Sequence, residues 1–374
     1  MLRSLICTFV GHVDHGKTSV QDYIRQTSVV KREAGQITQH ISASKIPGPT
    51  MMNLSEGLID PKKLKIHSLI FLDTPGHASF TNLRRRGGNL ADIAVIIVDI
   101  NEGFKPQTIE SIEILKKYKT PFVIAANKID LISGYRSVKG TFGGNITKQS
   151  EMIKKTLESK IYNLVARLSE FAFNAERFDR VDDYTKQIAI VPISAKTGEG
   201  IAELLMVIVG LAQKYLEKEL QINENDPGQA TILEVTQEKG KGTVLEIILY
   251  NGKIKEKDVV VIGGAEEAIV TKIKAIYQQQ PLRAKYEFVK NAIAADVLRI
   301  SCNEVENVYA GMPLKVANKD LEKVKEAIQS EVEEVLIETD KEGVIVKADS
   351  LGTLEALISL LKERGVKIKK AFVS

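Results

Sequence analysis

One octet constrains this chain more than any other stretch: Gly11-His12-Val13-Asp14-His15-Gly16-Lys17-Thr18. Two glycines with four residues between them, then Lys and Thr, fit the pattern of a phosphate-binding loop. The apolar run Leu5 to Val10 before it predicts a buried strand, and Ser19 to Arg25 can open a helix. Strand, glycine-rich turn and helix start is the context that such a loop requires. Gly11 and Gly16 let the backbone curl so that its N–H groups face phosphate oxygens. The helix amino terminus adds partial positive charge. Lys17 can reach the β and γ phosphates, and Thr18 can place its hydroxyl on Mg²⁺. Asp14, His15, Gly16, Lys17, Thr18 and Ser19 are therefore the expected nucleotide contacts of this loop. A glycine-rich turn without a ligand is the bland reading, and the motifs that follow argue against it.

Asp73-Thr74-Pro75-Gly76-His77 follows the apolar run Leu69 to Leu72. A carboxylate at a strand end suits a second Mg²⁺ contact, through water, and Gly76 can offer its backbone N–H to a γ-phosphate. Asn127-Lys128-Ile129-Asp130 follows the run Phe122 to Ala126. Asp130 can accept from the N1–H and 2-amino groups of guanine. Adenine lacks both donors there and would leave the carboxylate unpaired. Ser194-Ala195-Lys196, after the run Ile188 to Ile193, suits the other side of the base. Each tetrapeptide alone is common. Four motifs in this order predict a GTPase that converts GTP to GDP and phosphate. A nucleoside kinase or metabolic ATPase is the distant alternative.

These residues resemble the translational GTPases. Gly-His-Val-Asp-His-Gly-Lys-Thr with Asp-Thr-Pro-Gly-His is that superfamily's form of the two loops. Ala34-Gly35-Gln36-Ile37-Thr38-Gln39-His40-Ile41 is similar to the first switch of the initiation factor two and five-B family. So is Lys347-Ala348-Asp349-Ser350-Leu351-Gly352-Thr353-Leu354-Glu355-Ala356-Leu357. The long insert after Asp130 resembles the archaeal and eukaryotic five-B branch. The resemblance implies that Thr38 ligates Mg²⁺ in the GTP state and that His77 is the catalytic group positioning the attacking water. It implies that Asp14 helps to hold a monovalent cation, K⁺ or Na⁺, near the β–γ bridge. A neutral imidazole is suited to orienting water at working pH. Phosphoryl transfer asks mainly for positioning and charge stabilisation. Arg84, Arg85 and Arg86 read as a solvated basic helix face, so slow intrinsic hydrolysis accelerated by the ribosome is expected.

The wider implication is a translation initiation factor that promotes ribosomal subunit joining. Its expected partners are both ribosomal subunits and their RNA, with initiator tRNA held only through carboxyl-terminal parts beyond Ser374. The family continues with the rest of a third domain, a long helix and a fourth barrel, so the expectation is a chain truncated at its carboxyl end. The competing class is a GTP-gated ribosome-binding switch whose hydrolysis only resets it. An elongation-type carrier of aminoacyl-tRNA is weaker, because Glu331 onward does not read as a second large barrel.

The 374 residues predict two or three domains, and 44% apolar content supports packed cores. A net charge of +4 is compatible with ribosomal RNA but too small to argue for it. Cys7 and Cys302 lie far apart in sequence; nothing in them implies a disulfide framework, and a reducing cytosol fits. Cys7 reads as a buried core thiol. No apolar run approaches the roughly 20 residues of a membrane span. Leu204 to Ala212, the richest stretch, reads as a packed helix. A first strand so near the amino terminus leaves no room for a signal peptide. A cytoplasmic monomer without a membrane role is expected.

The predicted fold is an α/β P-loop GTPase domain over 1–222, its mostly parallel sheet covered by helices on both faces. A small β-barrel over 223–318 follows, then a linker helix and an incomplete α/β third domain over 319–374. Ile41 to Lys65, with its prolines and glycines, is expected to be a long mobile switch connection. Leu131 to Gln187 is expected to be a helical insert, with Leu157, Ile161, Leu164, Val165 and Leu168 at helical spacing. It packs on the nucleotide domain or contacts the ribosome. Glu199 to Glu219 reads as one helix. Asn251-Gly252 between apolar runs predicts a hairpin, and Pro281-Leu282-Arg283 a polar loop or short helix.

Overall fold

The computed structural model describes residues 2–28, 42–73, 90–238, 242–264, 267–279, 286–303, 305, 308–317, 320–336, 343–348 and parts of 354–373. The first half is built on β1 (Leu5–Val10), β2 (Ser42–Pro47), β3 (Ser68–Asp73), β4 (Ile93–Asp99), β5 (Phe122–Asn127), β6 (Asn174–Arg177) and β7 (Gln187–Pro192). They form one seven-stranded sheet in the order β2-β3-β1-β4-β5-β7-β6. Only the edge strand β2 runs antiparallel to its neighbour. β1, β4 and β5 are buried along their whole length, as continuous apolar runs demand of a sheet covered on both faces. Arg3 anchors the first strand. Its guanidinium grips Asp92 at 2.6 and 2.8 Å, and Asp92 also accepts from the Ile6 amide at 2.8 Å.

The helices are α1 (Lys17–Ser28), α2 (Gly48–Leu54), α3 (Pro106–Tyr118), α4 (Phe142–Ile146), α5 (Glu151–Glu170) and α6 (Ile201–Tyr215). Two expectations need correction here. Ile41 to Lys65 is not a structureless connection: its described residues 42–65 supply β2, α2 and a 3-10 turn at Pro61–Lys63. The prolines and glycine that suggested a loop start the helix instead. Pro49 sits in the first turn of α2, where a missing N–H costs nothing. The insert is not wholly helical either. α5 buries Leu157, Ile161, Leu164 and Leu168 as its spacing requires, with Val165 partly buried. It is followed by β6, a four-residue strand that extends the main sheet beside β7. So short a polar strand carries no periodicity of its own.

The second half begins with β8 (Gln229–Glu238), β9 (Gly242–Asn251), β10 (Lys253–Lys255), β11 (Val259–Ile262) and β12 (Ile269–Gln279). It continues with β13 (Tyr286–Val289), β14 (Asn291–Ile293), β15 (Asp296–Cys302) and β16 (Pro313–Val316). The order β11-β16-β8-β9-β15-β12-β13 closes through an extra β11–β12 pairing, so the antiparallel sheet is a barrel. Asn251-Gly252 does not close a hairpin, contrary to its sequence. β9 pairs with β8 and β15, and Gly252, at φ +69°, turns the chain into β10, which pairs with β14. The Gly252 carbonyl accepts from Ala294 at 2.9 Å, so tertiary pairing captures the turn. Pro281 to Arg283 lie outside the described residues.

α7 (Leu321–Leu336) lies on the barrel wall, packing Leu321, Val324 and Ile328 against Val261, Ala268 and Ala317. Beyond it, β17 (Val344–Ala348) and β18 (Ile368–Val373) pair in parallel, and Val346, Ala348, Leu354 and Ile368 share one apolar cluster with the barrel.

Candidate functional site

The phosphate loop leaves β1 at Gly11 and enters α1 at Lys17. Gly11, Asp14 and Gly16 take φ of +137°, +65° and +95°. At Gly16 a Cβ would run into the Asn127 amide, so the close approach of these two loops requires glycine. Lys17 Nζ donates to the Gly11 and His12 carbonyls at 2.7 and 2.8 Å, which lays the ammonium across the loop. Asp14, Thr18 and Ser19 are exposed along its mouth. His15 differs: its ring is buried under the loop, packed edge-on against His12 at 5.1 Å. Burial and His12 hold it below the ordinary histidine range, against the pull of Asp99 and Glu102. It is a neutral prop, and it meets the loop's ligand side through its backbone.

The base side is assembled from the carboxyl ends of β5 and β7, neighbours in the sheet. Asn127, 1% exposed, joins three motifs. Its Nδ2 donates to the His15 carbonyl at 2.8 Å, and its Oδ1 accepts from the Ala195 amide at 3.0 Å. Asp130 accepts from Ser194 Oγ at 2.7 Å, which fixes the plane of the carboxylate. Lys128, left-handed at φ +65°, pairs with Asp99 at 2.9 Å. Lys196 is exposed at the rim. The structure thus brings Asp14, His15, Gly16, Lys17, Thr18, Ser19, Asn127, Lys128, Asp130, Ser194, Ala195 and Lys196 to one edge of the sheet. Asp73 closes β3 opposite Phe9, beside the start of the loop. Thr38, Gly76 and His77 lie outside the described residues.

Two carboxylates in this region escaped the sequence reading. Asp99 ends β4 and holds Lys128, with the Asn101 amide donating to it at 2.8 Å. Its position at the end of an apolar run is the signal that marked Asp73. Glu199 is the other. It was placed at the start of a helix, but that helix begins at Ile201. Gly198 and Gly200, at φ +87° and +79°, flank Glu199 and turn it inward. Nothing in the local sequence marks such a residue.

Thr18, exposed at the loop mouth, and Asp73, the last residue of β3, are residue types with hard oxygen donors, the chemistry that a Mg²⁺ bound to phosphates uses. Among the described residues, no group of three or more His, Cys, Asp or Glu could itself hold a metal. No helix among the described residues is long and apolar enough to cross a membrane.

Comparison with known proteins gives the family. Residues 2–214 match the family model described as the elongation factor Tu GTP binding domain. A probable translation initiation factor IF-2 of Archaeoglobus fulgidus is 49% identical over 380 residues, covering 100% of this chain and 64% of that protein. The crystal structure of GDP-bound aIF5B from Aeropyrum pernix superposes with a TM-score of 0.88 at 44% identity, covering 100% of this chain and 64% of that one. Elongation factor SelB of Methanococcus maripaludis shares the fold at 22% identity, with a TM-score of 0.55 over 85% of this chain and 56% of that one. The chain spans about 64% of the length of its initiation-factor relatives. The chain therefore belongs to the elongation factor Tu GTP-binding domain family, and within that family its likeness is to the archaeal IF-2 and aIF5B initiation factors.

Proposed function

We propose that this chain binds GTP and GDP and hydrolyses GTP as part of a translation initiation factor that promotes ribosomal subunit joining. The observation that carries the reading is Asn127, whose one amide ties the phosphate loop at His15 to the base loop at Ala195. A ligand spanning those two loops has phosphates at one end and a base with donors facing Asp130 at the other. That describes a guanine nucleotide. The loop amides and Lys17 would neutralise the phosphates, and the α1 amino terminus would add its dipole. Asp130, held by Ser194, would accept both guanine donors. Lys128 would be held over the base edge by Asp99.

Thr18 and Asp73, with Thr38 in the GTP state, would hold Mg²⁺, which draws charge from the β and γ oxygens when bound. His77 would orient the attacking water and Gly76 would sense the γ-phosphate. Asp14, exposed beside the loop, would face a K⁺ or Na⁺. Initiator tRNA would be met by the parts of such a factor beyond this chain. The test is GTP hydrolysis at fixed Mg²⁺, with and without purified ribosomes. Strong stimulation by ribosomes is the expected result. Equal turnover with and without them overturns the ribosome-dependent reading.

A further inference from the structure

Glu199 is 0% exposed and lies on the loop that carries Ser194 and Ala195. A buried carboxylate needs donors, and among the described residues its side-chain donors come from the insert. Tyr135 Oη donates to Oε1 at 2.6 Å and Asn145 Nδ2 at 2.9 Å, while Ser137 Oγ donates to Oε2 at 2.6 Å. The Tyr135 phenol is pushed well up by its burial and by this carboxylate, so it stays a donor. The network continues inward. Ser137 Oγ lies 2.6 Å from Thr197 Oγ1, and the Thr197 amide donates to Ser194 Oγ at 3.2 Å. Ser194 Oγ is the donor to Asp130. The Glu199 carbonyl also accepts from the Ser194 amide at 2.9 Å, so the loop closes on itself around these groups. At Gly200, φ +79°, a Cβ would meet the Pro192 carbonyl, so the turn that follows Glu199 requires glycine.

We propose that Glu199 is a specificity-determining positioning residue, which docks the insert segment 135–145 onto the base loop and so sets how sharply Asp130 reads guanine. The inference rests on the guanine reading above. The insert is then a buttress of the base site as well as an addition to the sheet. Hydrogen bonds along one polar network orient one another, so loosening its far end loosens Asp130.

The test compares GDP with inosine diphosphate, which lacks the 2-amino donor. The ratio of their affinities reports the aim of Asp130, whereas a purely structural loss of the insert would lower the melting temperature and leave the ratio alone. Glu199→Ala removes the acceptor from three donors, two of them buried, and should cut the ratio about tenfold, the worth of a bond to a buried charge. Glu199→Gln keeps a carbonyl for Tyr135 and Asn145 and should stay within about threefold of the wild type. Ser137→Ala removes one donor from a half-buried position, keeps the fold, and should fall between the two. Should Glu199→Ala not fold, Ser137→Ala decides the matter: a ratio within about twofold of the wild type overturns the inference. Wild-type chain that binds neither diphosphate overturns the guanine reading and this inference with it. Wild-type selectivity kept in Ser137→Ala overturns this inference alone.

Discussion

Asp130 shows how much one carboxylate is asked to do. Ser194 holds one of its oxygens, so the carboxylate presents its acceptors in a fixed plane. Asp130→Asn turns an acceptor into a donor. It should shift preference from guanine to xanthine nucleotides by about a hundredfold, the loss of two charge-assisted bonds. Competition binding of GDP against XDP checks this, and unchanged preference would sink the assignment of the base. Asp99 lends itself to a pH test. Burial raises its carboxyl, but the bonds from Lys128 and Asn101 outweigh burial and hold it below the ordinary range. A depressed folded pKa means stability that is complete above the unfolded value of about 3.9 and lost as acid carries the pH through the folded one. Asp99→Asn should lower the urea midpoint at pH 7, and the gap to wild type should narrow on acidification. The two thiols make a simpler case. Burial pushes Cys7 far up and Cys302 up to about 12, so neither forms a thiolate near neutrality. A thiol reagent should find no fast-reacting cysteine in the native protein and two after denaturation.

Among the secondary-structure elements, α5 carries the clearest contrast between a buried stripe and a solvated face. Ile161 is fully buried and Met152, on the same helix, is 81% exposed. Ile161→Ala should destabilise by about 3 kcal/mol through lost burial and the cavity left behind. Met152→Ala should stay within about 0.5 kcal/mol. Urea unfolding of both variants gives the comparison, and a large loss in Met152→Ala would point to an apolar contact on the outer face. The stripe was legible because helical periodicity is a property of a dozen residues at once. β6 was not legible, because four residues joining a sheet edge carry no pattern and gain their hydrogen bonds from β7. The hairpin expected at Asn251-Gly252 failed for the same kind of reason. A two-residue turn states that the chain reverses, and only the strands already in place decide which partner it meets.

In the whole molecule the decisive contact is between the sheet and the barrel. Along β1 and β3 alternate residues part company. Leu5, Cys7, Phe9, Leu69 and Phe71 join the main apolar core, whereas Ile6, Ile70 and Leu72 join Leu233, Ile248, Ala295 and Val297 of the barrel. Lys45 on β2 pairs with Asp296 on β15 at 2.9 Å across that junction, and Gln278 also donates to Asp296. Asp296→Ala leaves Lys45 half-buried without its partner, so the junction should open more often. Hydrogen exchange should quicken at β2 and β15 and stay unchanged in α5; equal quickening in α5 would mean global rather than local loosening.

The chain's sequence determined the phosphate loop, the order of the guanine motifs, the all-buried strands and the barrel's β-rich character. Each depends on neighbours in sequence: a glycine that must turn, a carboxylate at a strand end, a run of β-branched residues. Tertiary structure alone decided that the second face of β1 and β3 is covered by the barrel, that β6 extends the sheet, and that Asp99 and Glu199 stand behind Lys128 and Ser194. Those contacts join residues far apart in the chain, and the burial that makes a carboxylate seek donors exists only once the pieces have packed.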